Sequence, residues 1–256
     1  MKSLFARGTL ALLALLVALP CPRPARAADP PSASRPIRVD LAIFAGPQGY
    51  KMADVNQVID AGNAEILTDP VAGASGLHLA AISRGSSLGT GVRVWPKENI
   101  VIAADYIYLK SNSDDNVPVN SNPGAPKLKA QVASPAQSIG LTLGYYFLRP
   151  RHWIRVGAGV GGAYYICKGH VGLSYPWFQE THELHGTGFG AHGMVLGDIR
   201  ISDRIHLETA LGYRVAKTRD LKDAGVVLYN ADGSKSRADY TGFLSRLGLD
   251  VPFGPK

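Results

Sequence analysis

The chain has 256 residues, a formal charge of +7, 46% hydrophobic and 18% charged residues, and a mean hydropathy of +0.01. That balance is too polar for a bundle of membrane helices and slightly poor in charge for a soluble domain. Lys2, Arg7, Arg23 and Arg26 supply four of the positive charges, leaving +3 after Ala27. No Lys/Arg stripe with interleaved aromatics follows, so nothing points to a nucleic-acid partner.

The first predicted element is a secretory signal peptide over residues 1–27. Lys2 and Arg7 precede an apolar run from Leu10 to Leu19, and Ala25-Arg26-Ala27 offers small residues for cleavage near Ala27. The run is too short to span a bilayer as a helix, which takes roughly 20 apolar residues. Cys21 falls in this leader, so Cys167 is left alone, read as a small apolar filler. Residues 28–36 show no periodicity and read as a flexible segment, and 37–256 as one domain.

Eight strands are predicted: 37–45, within 77–95, 100–110, 137–148, 153–168, 184–200, 205–217 and 240–253. The Gly/Ser-rich middle of the second, Arg84 to Gly91, suggests a bulge or bend. Short and long connections alternate. Residues 96–99, 149–152 and 202–204 are tight turns, whereas 46–76, 111–135, 169–183 and 218–239 are long and polar. Within the first long connection, 52–66 places Val55, Val58 and Ile59 on one side of a short amphipathic helix.

Alternation is clear in most strands. In the seventh, Ile205, Leu207, Thr209, Leu211, Tyr213 and Val215 oppose His206, Glu208, Ala210, Gly212, Arg214 and Ala216. The fourth and eighth strands behave alike, and the sixth alternates poorly. The fold class read from this is all-β: an eight-stranded antiparallel up-and-down transmembrane β-barrel with a short helix in the first long loop. Hydrocarbon offers no partner to an open strand edge, so the sheet must close. A soluble lipocalin-like periplasmic binding protein shares the periodicity, but with its apolar face turned inward. The sorted loops favour the membrane. So do the aromatics near strand ends: Tyr106, Tyr108, Tyr145, Tyr146, Trp153, Tyr213, Tyr240 and Phe253.

Gly91 to Trp95, followed by Asn99 to Tyr106, resembles the second hairpin of small outer-membrane β-barrel proteins. That group includes the membrane domain of outer membrane protein A, the opacity proteins and outer membrane protein W. The resemblance is one of pattern over most of the mature chain. It implies an outer-membrane location, lipid and the barrel assembly machinery as partners, and a structural or surface-interaction role. The alternative it implies is a narrow pore or lateral conduit for a small or hydrophobic solute. The group usually ends on an aromatic; here Phe253 is followed by Gly254-Pro255-Lys256.

The candidate functional residues are the charges on the inward parity: Arg93, Asp105, Arg155, Asp198, His206, Glu208, Arg214, Arg246 and Asp250. Charges in a narrow lumen must be paired or hydrated, so these read as a network that fills the barrel. No catalytic, cofactor or metal residue is assigned. His182 and His185 lack the H-E-x-x-H spacing of a zinc protease. Gly157 to Gly162 lies in an alternating strand with no helix after it, which removes a phosphate-loop reading. The H-x-S pattern of barrel lipid deacylases is missing, so an enzyme is not expected.

Overall fold

The computed structural model describes residues 37–119, 125–151, 153–230 and 232–253. The leader, the segment 28–36, His152 and the last three residues lie outside the described residues.

Alternating apolar and small or polar residues dictate strands, and the chain makes twelve of them in one sheet. β1 is Arg38–Gly49, β2 Arg84–Lys97, β3 Ile100–Lys110, β4 Asn112–Pro118, β5 Lys127–Ala133 and β6 Ala136–Arg151. β7 is Ile154–Tyr175, β8 Phe178–Ser202, β9 Ile205–Thr218, β10 Lys222–Asp223, β11 Val226–Val227 and β12 Gly242–Phe253. Two helices, α1 (Ala53–Thr68) and α2 (Ala72–Ser75), follow β1.

Eight strands close into a ring in the order β1, β2, β3, β6, β7, β8, β9, β12. Every neighbouring pair is antiparallel, and β12 returns to β1 with Val39 opposite Phe253 and Ala45 opposite Leu247. At one end the ring strands join through the short turns at 98–99, at Trp153 and at 203–204. The far end is elaborate. β4 and β5 form a hairpin that extends β3 and β6, and β5 pairs with the outer part of β7. β10 pairs with the outer part of β8.

Three expectations need correction. The long connections are not plain loops: two carry strands, and 169–183 is the tip of a single β7–β8 hairpin that turns only at Pro176-Trp177. β7 and β8 therefore run to 22 and 25 residues, about twice what a tilted strand needs to cross a bilayer. The Gly/Ser-rich part of β2 is regular strand; its register shift lies between Val94 and Lys97. The second strand, expected within 77–95, runs past that bound to Lys97, and residues 77–83 form a return segment that buries Leu77, Leu79 and Ile82.

Side chains sort by parity. Leu41, Ile43, Ile139, Leu141, Leu143, Val160, Phe189, Val195, Val215, Leu247, Leu249 and Val251 are exposed around the outside. Tyr106, Tyr108, Tyr164, Phe189 and Phe243 stand toward the elaborate end, and Tyr145, Phe147 and Phe253 toward the short turns. Tyr146 and Tyr240, read as part of that aromatic girdle, point inward instead and are 5% and 0% exposed. Such an apolar belt far exceeds the few hundred Å² of contiguous apolar patch that a soluble monomer exposes. It is the reverse of a lipocalin, whose apolar face lines the lumen. No described helix is long and apolar enough to cross a membrane.

Candidate functional site

The nine charged residues read from parity all project into the ring, and room for them is made by their neighbours. Asp105 lies opposite Gly91 and Gly140, Glu208 opposite Gly248, Arg246 opposite Ala210, Arg93 opposite Ala103, and Asp250 opposite Ala42. Large side chains cross the narrow interior over small ones.

At mid-height four of them form a closed circuit. Arg93 bonds Asp105, and its Nε donates to Glu208 Oε2 at 2.9 Å. Arg246 Nη1 donates to Asp105 Oδ2 at 2.8 Å, and its Nε lies 3.6 Å from Glu208 Oε1. Both guanidinium groups also lie over the Phe44 ring, at 5.6 and 4.9 Å. Each is at most 6% exposed, and a charge so buried must be paired and hydrogen-bonded. Asp250 Oδ1 is buried with no hydrogen-bond partner, as are Arg93 Nη2 and Arg246 Nε within the circuit.

Toward the short turns, Asp198 accepts from Arg155 Nε at 2.7 Å and lies 3.0 Å from His206 Nδ1. Arg155 stacks over Trp95 at 4.3 Å. Trp95 Nε1 donates to Asp40 Oδ2 at 2.7 Å. Toward the other end, Arg214 Nε donates to the Tyr240 carbonyl at 2.8 Å and Nη1 to Gln48 Oε1 at 3.3 Å. Gln48 in turn donates to Ser87 Oγ and the Ser245 carbonyl. Thr142 Oγ1 and His192 Nε2 meet at 2.8 Å.

Asp40, Gln48, Trp95 and His192 belong to this interior and were not singled out as site residues from the sequence, and Tyr146 joins them from the girdle. Asp40 has the parity of Ala42 and Phe44, and His192 that of Met194 and Leu196. The alternation rule, applied evenly, finds both. The cavity left between Trp95, Arg93, Glu208 and Arg246 measures about 10 Å³, at most the space of one water.

Above the charged layers sits an apolar plug. Val55, Ile59 and Ile66 of α1, with Met52, Leu79 and Ile82, pack against Leu109, Leu128, Val132, Tyr165 and Tyr240. Val58, expected to share the buried face, is only half-buried. Two asparagines two turns apart tie the return segment to α1. Asn56 exchanges two hydrogen bonds with the backbone of Ile82, and Asn63 two with Leu79. Asp69 closes α1 and starts α2: its Oδ1 accepts from the N–H groups of Ala72 and Val71, and its Oδ2 from Tyr175 Oη at 3.0 Å. The two backbone bonds, then the tyrosine, hold its carboxyl below the usual carboxylate range.

Cys167 is 1% exposed against Ser134 and Tyr240. Burial pushes the Tyr240 hydroxyl well above its ordinary range. Among the described residues, no three His, Cys, Asp or Glu side chains converge as metal ligands. His182 bridges Glu180 and Asp223, at 3.0 and 2.7 Å.

No protein-family model matches the chain, and no curated protein does. Solved structures similar to it include Neisserial surface protein A, at 15% identity and a TM-score of 0.38, with 85% of this chain and 96% of that one covered. Another is a major outer membrane protein from Thermus thermophilus, at 12% identity and a TM-score of 0.44, with 86% and 100% covered. By its own register and side-chain sorting, the chain is an eight-stranded antiparallel β-barrel, apolar outside, charged inside and plugged at its elaborate end.

Proposed function

We propose that the chain is a closed outer-membrane barrel, exported through its leader, that anchors and displays the sheet of β4, β5, β7, β8 and β10 at the cell surface. The short turns then face the periplasm and the plug faces outward, the usual asymmetry of such barrels. Lipid contacts the apolar belt, and the barrel assembly machinery inserts the chain. The observation that carries this reading is the charged circuit of Arg93, Asp105, Arg246 and Glu208, each at most 6% exposed, which leaves a void of about 10 Å³ against Trp95. A conduit for a small or hydrophobic solute needs a continuous path. Two charged layers and an apolar plug stand in series along the only direction such a path could take through the described residues.

The test joins two measurements on the mature chain refolded in detergent. A faster-running band without boiling establishes the closed barrel. Planar-bilayer recording should then show no steady conductance. Steady single-channel steps in the wild-type protein would sink the closed-lumen reading while leaving the barrel intact.

A further inference from the structure

The outer end of the β7–β8 hairpin carries a feature that the closed barrel does not use. Tyr175 pairs with Phe178, so the turn consists of Pro176 and Trp177 alone. Trp177 is 68% exposed and Phe178 54%. The last lipid-facing aromatic pair on these strands is Tyr164 with Phe189, ring centroids 5.0 Å apart. From Tyr164 to the turn, at about 3.3 Å per residue and a tilt near 40°, the hairpin rises roughly 25–30 Å. Trp177 is therefore far above the membrane interface, and belt anchoring does not account for it.

Beside this turn lies an open groove of about 760 Å³, lined by Lys127, Lys129, Ser174, Tyr175, Trp177 and Gln179 among others. Register aligns its polar members. Lys129 lies opposite Ser174, and Ser174 opposite Gln179, so an ammonium, a hydroxyl and an amide form one row across three strands. Lys127 shares the outward parity of Lys129, while Leu128 and Ala130 turn into the core. Neither lysine makes an ion pair among the described residues. The nearest outward carboxylate by register, Asp114, sits opposite Gln131 and is held by Asn112. The Trp177 ring lies 5.7 Å from Tyr175, whose hydroxyl is fixed on Asp69. The result is a rigid aromatic platform next to unpaired cations and neutral donors.

We propose that this groove binds an acidic oligosaccharide. The apolar face of a pyranose covers the indole, its hydroxyls meet Ser174 and Gln179, and its carboxylate or phosphate groups meet Lys127 and Lys129. At the row of Lys129 and Ser174 a peptide strand finds no edge, because β5 and β7 are bonded on both sides there, and pairing along the open edge of β8 at 178–183 would leave the lysines unused. The proposal rests on the surface-exposed barrel reading, which the unboiled gel band tests separately.

The experiment is calorimetric titration of the refolded full barrel with four probes: oligogalacturonate, neutral dextran of equal size, polyglutamate, and rough-type lipopolysaccharide in micelles. Saturable binding of oligogalacturonate, of lipopolysaccharide or of both supports the site, and which one binds shows whether the sugar comes from solution or from the membrane. Trp177→Ala and the pair Lys127→Gln/Lys129→Gln should each weaken it by about tenfold or more, as loss of an anchor does. Both variants must keep the unboiled band; one that loses it is replaced by Gln179→Ala, which should weaken binding several-fold. The proposal fails if neither acidic sugar binds, if dextran or polyglutamate binds equally well, or if folded variants bind like wild type.

Discussion

Asn63 and Leu79 close a ring of two hydrogen bonds. The Asn63 amide donates to the Leu79 carbonyl at 2.9 Å, and its oxygen accepts from the Leu79 N–H at 2.8 Å. Both residues are buried, so a helix side chain takes the place of a neighbouring strand. Asn63→Ala leaves a buried donor and acceptor unmet, at a cost of about 1–3 kcal/mol. The loss should stay within the plug. Amide exchange over residues 77–82 should quicken, while the heat needed to unfold the barrel on a gel stays the same. Unchanged exchange would show that apolar packing alone holds the return segment.

The charged circuit of Arg93, Asp105, Arg246 and Glu208 is balanced, two cations against two anions. Glu208→Gln leaves a buried guanidinium short of its partner and should destabilise by about 3–5 kcal/mol. The double change Glu208→Leu with Arg246→Met removes one charge of each sign and should cost clearly less than the two single changes added together. Urea titration of the folded band in detergent gives both values. Additive losses would mean that the four groups do not act as a unit.

Glycine tolerance should follow the interior geometry. A Cβ on Gly91 would overlap the Asp105 carboxylate and the Ala104 carbonyl. Gly91→Ala must therefore push Asp105 off Arg93, and should lower the unfolding temperature of the barrel about as much as losing that ion pair. At Gly193 nothing lies within 4 Å of an added Cβ, and Gly193→Ala should stay within about 0.5 kcal/mol of wild type. Equal effects at the two sites would contradict the assignment of inward and outward faces.

His182 joins the outer part of β8 to β10. Hydrogen bonds to Glu180 and then Asp223 raise its pKa above the ordinary histidine value. A raised native pKa stabilises the protonated, folded clasp. That contribution is fully present below about pH 6.5, the unfolded value, and is lost as pH climbs through the higher native one. Amide exchange of residues 223–228, corrected for its intrinsic pH dependence, should be better protected at pH 6 than at pH 9. His182→Asn should flatten the difference. A difference that survives in His182→Asn would place the titrating group elsewhere.

Much of this fold was legible because a period of two is hard to mistake when one face must meet hydrocarbon. Ile139, Leu141 and Leu143 announce their strand without help from the rest of the chain. The outer sheet was legible only in part: β5 alternates from Lys127 to Val132, but β4 and β10 do not. β4 opens on Asn-Ser-Asp-Asp-Asn and offers only Val117 to the core, and β10 has two residues. Both are strands because neighbours offer unpaired backbone, which leaves no mark on their own composition. The interior charges were found by parity, and Asp40 and His192 were available by the same rule. Their partners were not: which arginine meets which carboxylate depends on the stagger between strands around the ring. The asparagine clamp was hidden for another reason. Asn56 and Asn63 look like ordinary helix-surface residues until the return segment lies against them.

The pairing of β1 with β12 also fixes an order of events. Every other contact around the ring joins strands consecutive along the ring, most of them close in the chain, and can form as a hairpin. Val39 and Phe253 are separated by nearly the whole described sequence, so their ladder carries the greatest loop-closure entropy and must form after the others. Until it does, both edge strands hold unsatisfied amides that lipid cannot solvate. The seam is thus the last line sewn and the first place to open. A nascent chain released into the bilayer before Phe253 has reached Val39 has nowhere to hide its edges.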